Sequence, residues 1–193
     1  MPRLLRPLRS PPSHLTFPDH PSFNPRLTPE QCIRAGIFGG VYFNPVGGKP
    51  GVLKRCVDID HTEFPGNWFS GLNAKRFYLA RRYDMTVNKY GVVAGSDQAH
   101  WETHGWIHPQ DPRGWFQWYC RFFLGRRTVD DSRQIKRWQG VCGERGRWRT
   151  ALRKRVGCPA NLNDFSISPR IRQTLLHWAF ELREEDFVDN RQN

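Results

Sequence analysis

The chain has 193 residues and a formal net charge of +12, and 13% of its residues are aromatic, including eight tryptophans. That many large rings can bury a core, which excludes a globally disordered chain as an interpretation. No stretch approaches the roughly 20 apolar residues that a membrane-spanning helix needs, so we expect no membrane partner.

The first 22 residues are predicted to be a flexible tail rich in proline and arginine. Arg3, Arg6 and Arg9 precede the first acidic residue, Asp19, a charge bias typical of organelle import signals. The prolines of this segment oppose the amphipathic helix that such signals need. We therefore favour a tail and keep organelle import as the alternative.

Residues 23–189 are predicted to form a single globular domain of the α+β class, predominantly α-helical. Its first helix has a capping box, with Thr28 as the cap and Gln31 as its partner, and ends at Gly36. Glycine pairs then punctuate short aromatic and β-branched runs, which predict short strands or extended loops near 37–43 and 52–57.

From residue 96 onward the chain is predicted to be helical. Helices are expected over 96–105, 112–124, 130–139 and 144–156, with a last helix beginning at Pro169. Asp111 is expected to cap the helix over 112–124, which is the central element. The last helix is expected to pack on it through one face, formed by Ile171, Leu175, Trp178 and Leu182.

A polar stripe runs along the otherwise apolar central helix. Arg113, Gln117 and Arg121 recur every four residues, and buried charge of this kind needs a partner. Two interpretations stay open: the stripe pairs with carboxylates of the protein, or it faces a groove that receives an anionic ligand. The candidate carboxylates are Asp58, Asp60 and Glu63.

Most of the net charge lies in one segment. Residues 121–155 contain twelve basic and only three acidic residues, a net charge of +9. Such a segment repels itself unless a polyanion neutralises it. We therefore predict DNA or RNA binding, with arginines on phosphates and tryptophans against unpaired bases. The predicted contacts are Arg113, Gln117, Arg121, Arg126, Arg127, Arg133, Arg137, Trp138, Arg145, Arg147, Trp148 and Arg149.

The basic helices over 130–139 and 144–156 loosely follow the plan of a helix–turn–helix unit, with a connector longer than usual.

Two alternatives accompany the hypothesis of nucleic-acid binding. The first alternative is that the same arginines bind an acidic protein partner. The second alternative is a nucleic-acid-processing enzyme, for example in repair, that holds Mg²⁺ through carboxylates and a histidine. Its candidate residues are Asp58, Asp60, His61 and Glu63.

No other cofactor or metal is expected. His100 and His104 have the spacing of metal ligands on a helix, but the order is HxExH rather than HExxH. The five cysteines are odd in number and form no CxxC pair, which argues against a zinc ribbon or a disulfide framework. Reduced thiols are predicted, in an intracellular protein of the nucleus or the cytoplasm.

Four segments carry a resemblance to known sequences: IFGGVYFNP, GWIHPQDPRGWFQWYCRFFLGRR, DDSRQIKRW and ISPRIRQTLLHWAFEL. They resemble a group of short hypothetical proteins without an assigned activity. The resemblance runs from about residue 23 onward and leaves out the tail. It implies a self-standing single-domain protein and transfers no catalytic residue.

Overall fold

The computed structural model describes residues 8–10, 14–44 and 60–188. This part of the chain is mainly helical, with two three-residue strands near its start, β1 (Leu8–Ser10) and β2 (His14–Thr16), paired antiparallel. The predicted class, predominantly helical with short strands near the N-terminal part, is confirmed. Within the described ranges, no helix has the length and apolarity needed to cross a membrane.

Seven α-helices are found in the described residues, joined by short 3-10 turns. The α-helices are α1 (Pro29–Arg34), α2 (Ala74–Phe77), α3 (Gln98–Thr103), α4 (Trp115–Phe123), α5 (Asp131–Cys142), α6 (Arg147–Val156) and α7 (Pro169–His177). The 3-10 turns are Ile37–Gly40, His61–Glu63, Gly66–Trp68, Met85–Val87, Pro159–Asn161 and Glu184–Phe187.

The predicted capping box of α1 is present in full. The Thr28 hydroxyl accepts from the backbone N–H of Gln31 at 3.1 Å, and the Gln31 side chain accepts from the backbone N–H of Thr28 at 2.8 Å. Gly36 then adopts the left-handed conformation, with φ of 66°, and ends the helix.

The strand or extended loop predicted near 37–43 is wrong, because its first half is the 3-10 turn Ile37–Gly40. Phe38 and Gly39 both have φ of 56°, which no strand tolerates. A Cβ on Gly40 would lie 2.0 Å from the Arg76 carbonyl oxygen, so the glycine permits two chain segments to cross in contact. The strand predicted near 52–57 lies outside the described residues.

The packed part of the chain begins before residue 23. Leu15 and Phe17, inside the predicted tail, are both buried in the core. Phe17 stacks on Phe23 with a centroid distance of 5.3 Å and meets Phe122 edge-on at 4.9 Å. Residues 14–22 therefore belong with the folded part rather than with a tail.

Two helix boundaries differ from the predictions for identifiable reasons. The central helix α4 begins at Trp115, and Asp111 is not its cap because the Asp111 carboxylate binds arginines instead. The last helix α7 ends at His177, and Ala179 has φ of 56°, which turns the chain back. Trp178 and Leu182 therefore lie beyond the helix and do not extend its predicted face.

The core is organised around the ring of Phe23, which has no solvent exposure. Six aromatic rings lie within 6.4 Å of its centroid, four of them on α4. Edge-on pairs of this kind add to the free energy gained by burying ring surface. The six rings belong to Phe17, Trp115, Trp118, Tyr119, Phe122 and Trp138.

Truncating this ring is expected to be severely destabilising. Phe23→Ala should lower the free energy of unfolding by about 3–5 kcal/mol, because it leaves a cavity in a fully packed aromatic cluster. Phe165→Ala removes a ring that is nearly half exposed and should cost less than about 1 kcal/mol. Urea unfolding followed by circular dichroism measures both values. Equal losses in the two variants would contradict the central position of Phe23.

Candidate functional site

Asp111 neutralises two of the predicted nucleic-acid contacts. Its carboxylate has no solvent exposure and accepts from Arg121 Nη1 at 2.9 Å and from Arg126 Nη2 at 2.5 Å. Arg121 also pairs with Glu63, one of the three carboxylates predicted as its partner. Of the two interpretations of the polar stripe, pairing with carboxylates of the protein is therefore the one that holds for Arg121.

Asp186 is a second buried carboxylate with two arginine partners. It accepts from Arg26 Nη1 at 2.5 Å and lies 2.8 Å from Arg149 Nη2. Of the twelve basic residues in 121–155, five pair with carboxylates of the protein. These five are Arg121, Arg126, Arg127, Arg133 and Arg149, whose partners are Asp111, Glu63, Asp19, Asp130 and Asp186. All five were predicted phosphate contacts, and their charge is largely neutralised by carboxylates of the protein.

Two further predicted contacts lie in the core. Trp138 is 1% exposed, and its indole N–H donates to the Trp178 carbonyl oxygen at 2.9 Å, so its ring cannot stack on a base. Gln117 is fully buried, and its side-chain oxygen accepts from the backbone N–H of Arg113 at 3.0 Å. Both residues are structural rather than ligand contacts.

The acidic segment proposed for the enzyme alternative has other roles where it is described. Asp60 caps the turn His61–Glu63 by accepting from the Thr62 N–H at 3.0 Å, which lowers the Asp60 pKa. Glu63 is the partner of Arg121, and Asp58 lies outside the described residues. Within the ranges that the structure describes, no three His, Cys, Asp or Glu side chains are grouped to hold a metal ion.

The other seven basic residues of 121–155 have no carboxylate partner among the described residues. They lie on α5, in the connector after it and on α6, and we call them the α6 basic surface. Its members are Lys136, Arg137, Arg145, Arg147, Arg153, Lys154 and Arg155. On α6, Leu152 and Val156 are buried, so Arg147 and Lys154 fall on the outward side.

The connector between α5 and α6 lies three residues later in the chain than predicted. It comprises residues 143–146, because α5 continues to Cys142 and α6 begins at Arg147. A Cβ on Gly143 would lie 2.5 Å from the Gln139 carbonyl oxygen, and one on Gly146 would lie 2.6 Å from that of Val141. These glycines permit the tight turn that packs α6 against α5.

A cavity of about 410 Å³ opens beside the α6 basic surface, and we call it the tryptophan cavity. Five of the eight tryptophans line it, together with three arginines, and none of the described carboxylates does. Its ring and charged lining consists of Phe38, Trp101, Trp106, Arg113, Trp115, Phe116, Arg137, Arg147, Trp148, His177 and Trp178. Of the twelve predicted contacts, this cavity brings together four: Arg113, Arg137, Arg147 and Trp148.

Flat aromatic walls enclose the tryptophan cavity. Trp115 and Trp178 have a centroid distance of 4.8 Å, and the Arg147 guanidinium lies 4.7 Å from the Trp148 ring. Phe38 stacks on His177 at 4.3 Å and holds this position with a positive φ. Strained backbone in a non-glycine residue is concentrated at ligand sites in proteins.

Two hydrogen-bond donors at this cavity lack a partner in the described structure. Arg113 is 7% exposed, and its Nη2 donates to the Asn44 carbonyl oxygen at 2.8 Å while its Nε–H is unpaired. Trp115 is 6% exposed, and its indole N–H is also unpaired. Buried donors of this kind are rare, because each loses its hydrogen bonds to water without replacement.

Arg137 and His177 complete the electrostatics of the tryptophan cavity. Burial, with Arg133 nearby, lowers the pKa of Arg137 to about 10, so it remains charged at neutral pH. Burial lowers the pKa of His177 to about 3, so its ring is neutral. The Gln173 amide oxygen accepts from the Tyr90 N–H, so the amide nitrogen, 3.2 Å from His177 Nε2, donates and leaves the imidazole proton on Nδ1.

The arginines of this cavity were predicted from the sequence, but the tryptophans that line it, apart from Trp148, were not. The five tryptophans lie between residues 101 and 178 on separate elements, with no common spacing. The signal in the sequence that could have indicated such a cavity is the number of tryptophans, which exceeds what one small core holds. Of the eight, only Trp68, Trp118 and Trp138 are buried away from the cavity.

No protein-family model, curated protein or solved structure matches this chain. The resemblance to short hypothetical proteins therefore stays a prediction. Fold and site together define a mainly helical protein in which a tryptophan-lined cationic cavity adjoins a basic helix surface.

Removing the carboxylate of Asp111 should destabilise the fold. Asp111→Asn leaves Arg121 and Arg126 without their buried counter-charge, so we expect the free energy of unfolding to fall by about 3 kcal/mol. Asp19→Asn breaks the more exposed pair with Arg127 and should cost at most about 1 kcal/mol. Urea denaturation of both variants measures the difference, and a loss no larger for Asp111 than for Asp19 would contradict it.

Stability should fall in mild acid because of His177. Its folded pKa lies below its unfolded value of about 6.5, so between pH 6.5 and 3 the unfolded chain binds a proton that the folded protein does not. His177 therefore costs about 1.4 kcal/mol per pH unit over this window and nothing above it. His177→Gln should reduce the slope of unfolding free energy against pH by that amount between pH 6 and 4.5. An unchanged slope would contradict the neutral buried ring.

Proposed function

We propose that this protein binds nucleic acid through the α6 basic surface. The observation that carries the proposal is the division of the basic residues of 121–155: five pair with carboxylates, whereas seven on consecutive elements have no carboxylate partner among the described residues. Uncompensated charges of one sign repel each other, so a cluster of them costs stability unless it meets an external anion.

The residue types of α6 favour a nucleic-acid backbone over an acidic protein. Residues 147–156 contain no acidic side chain, and the outward cations are mostly arginines, whose planar groups match phosphate oxygens. A row of phosphates supplies the continuous negative charge that such a helix fits. The adjoining aromatic cavity adds a feature that acidic protein partners do not require.

Binding rather than turnover is the proposed activity. Asp60 and Glu63 are engaged in a cap and an ion pair, so no specific observation in the described residues favours the enzyme alternative. An intracellular site of action, in the nucleus or the cytoplasm, goes with the proposal. Cys32, Cys120 and Cys142 are free and buried, and burial raises the pKa of each thiol, as expected of thiols with no redox role.

The proposal is tested by fluorescence anisotropy with labelled 20-nucleotide single strands and duplexes of DNA and RNA. We expect dissociation constants of about 1 µM or lower at 50 mM salt for one of these probes, and weaker binding as salt rises. Arg145→Glu with Lys154→Glu should weaken binding more than about tenfold. For a single strand, the slope of log K against log salt should fall by about 1.4, since each phosphate contact contributes about 0.7.

The matched control is Lys75→Glu with Arg82→Glu, which makes the same change in net charge at exposed positions on α2 and in the turn after it. It should leave affinity within about threefold of the unmodified protein, because long-range charge effects are screened at 0.1 M salt. Absence of binding to every probe at 50 mM salt, or an equal loss in both double variants, would overturn the proposal. Capture of an acidic protein that survives nuclease treatment would support the alternative partner instead.

A further inference from the structure

We propose that the tryptophan cavity receives one unpaired nucleobase of the bound strand, with the adjoining phosphate at Arg147. This inference rests on the nucleic-acid binding proposed above and assigns that binding its ligand class, a single strand. Three independent features of the cavity carry it: its flat walls, its unpaired donors and its charge.

The walls supply surfaces on which a base can stack. Trp106 is 40% exposed, and Trp148 and Trp178 are partly exposed, so their rings remain accessible. Every base has a flat π face that stacks on aromatic side chains, whatever its identity. The Arg137 guanidinium lies 5.9 Å from the Trp106 ring and 5.5 Å from the Trp178 ring, which adds a cation beside two of these surfaces.

The unpaired donors favour a ligand with acceptor atoms on its edge. Arg113 Nε–H and Trp115 Nε1–H belong to side chains that are more than nine-tenths buried, and both residues line the cavity. Arg113 has no carboxylate partner among the described residues. Both donor atoms are covered by protein, so they add positive partial charge to the cavity wall, which favours a ligand whose flat edge carries carbonyl oxygens and ring nitrogens, as nucleobases do.

The charge of the cavity extends the site to the phosphate. Arg147 lines the cavity and is also a member of the α6 basic surface, so the two features are continuous. The position of Arg147 beside Trp148 places a guanidinium next to a stacking ring, the arrangement that grips a phosphate while its base stacks.

The cavity is large enough to accommodate one nucleobase. Its volume of about 410 Å³ is at the lower end of the range for small-molecule sites. A paired base stays stacked in its duplex and reaches such a cavity only after leaving the stack. A single strand is therefore the preferred ligand.

The experiment compares two single-stranded probes of twelve nucleotides, one of deoxythymidine and one of abasic tetrahydrofuran residues with the same phosphates. Anisotropy at 100 mM salt should give about tenfold tighter binding of the deoxythymidine probe. Trp106→Ala removes a wall at the exposed rim, and Thr174→Phe fills the cavity from α7. Each variant should reduce the preference to less than about twofold and leave binding of the abasic probe unchanged.

Phe165→Ala is the matched control, since it removes an exposed ring that does not line the cavity, and it should retain the tenfold preference. Equal binding of the two probes by the unmodified protein would overturn the base site and leave the proposed function standing. A preference that survives in both Trp106→Ala and Thr174→Phe would likewise overturn it. Failure of both probes to bind at 50 mM salt would overturn this inference, and if the duplex and RNA probes also failed to bind, the proposed function would be overturned with it.

Discussion

The fold depends on two buried carboxylates, Asp111 and Asp186, because a charge removed from water is tolerated only when it is paired and hydrogen-bonded. Asp111 holds Arg121 of α4 against Arg126 of the following loop. Asp186 joins α6, through Arg149, to the N-terminal segment, through Arg26. Asp186 therefore joins parts of the chain that are far apart in sequence, whereas Asp111 reinforces a loop that the backbone hydrogen bond from Arg126 to Arg121 also closes.

This constraint sorts the arginines of a strongly basic protein into two sets. Arginines of the first set pair with the protein's own carboxylates and fix the positions of α4 and α6. The second set, on the outward side of α6 and around the tryptophan cavity, keeps charge that the described acids do not offset. Arg113 belongs to the second set even though it is buried, and Trp115 shares its lack of a hydrogen-bond partner. A charge segment in a sequence thus overstates the binding surface, because pairing is decided by residues far away along the chain.

Local signals predicted the parts of the structure that short-range physics controls. The capping box of Thr28, the end of α1 at Gly36 and the mainly helical composition are of this kind. The strand near 37–43 was wrong because tertiary contact, the approach to the Arg76 carbonyl at Gly40, decided that backbone. The burial of Trp138 but not of Trp148 was equally invisible, since both belong to basic amphipathic helices and only the position of the Phe23 cluster separates them.

The positive φ of Ala179 affects when the N-terminal segment can fold during synthesis. The reversal presents the Ala179 carbonyl oxygen to the backbone N–H groups of Arg26 and Leu27, at 2.9 and 3.1 Å. Early and late segments of the chain thus close on each other, more than 150 residues apart. During synthesis the ribosome must release nearly all of the described chain before the N-terminal segment finds its place, so native contacts of high sequence separation put a slow step late in folding.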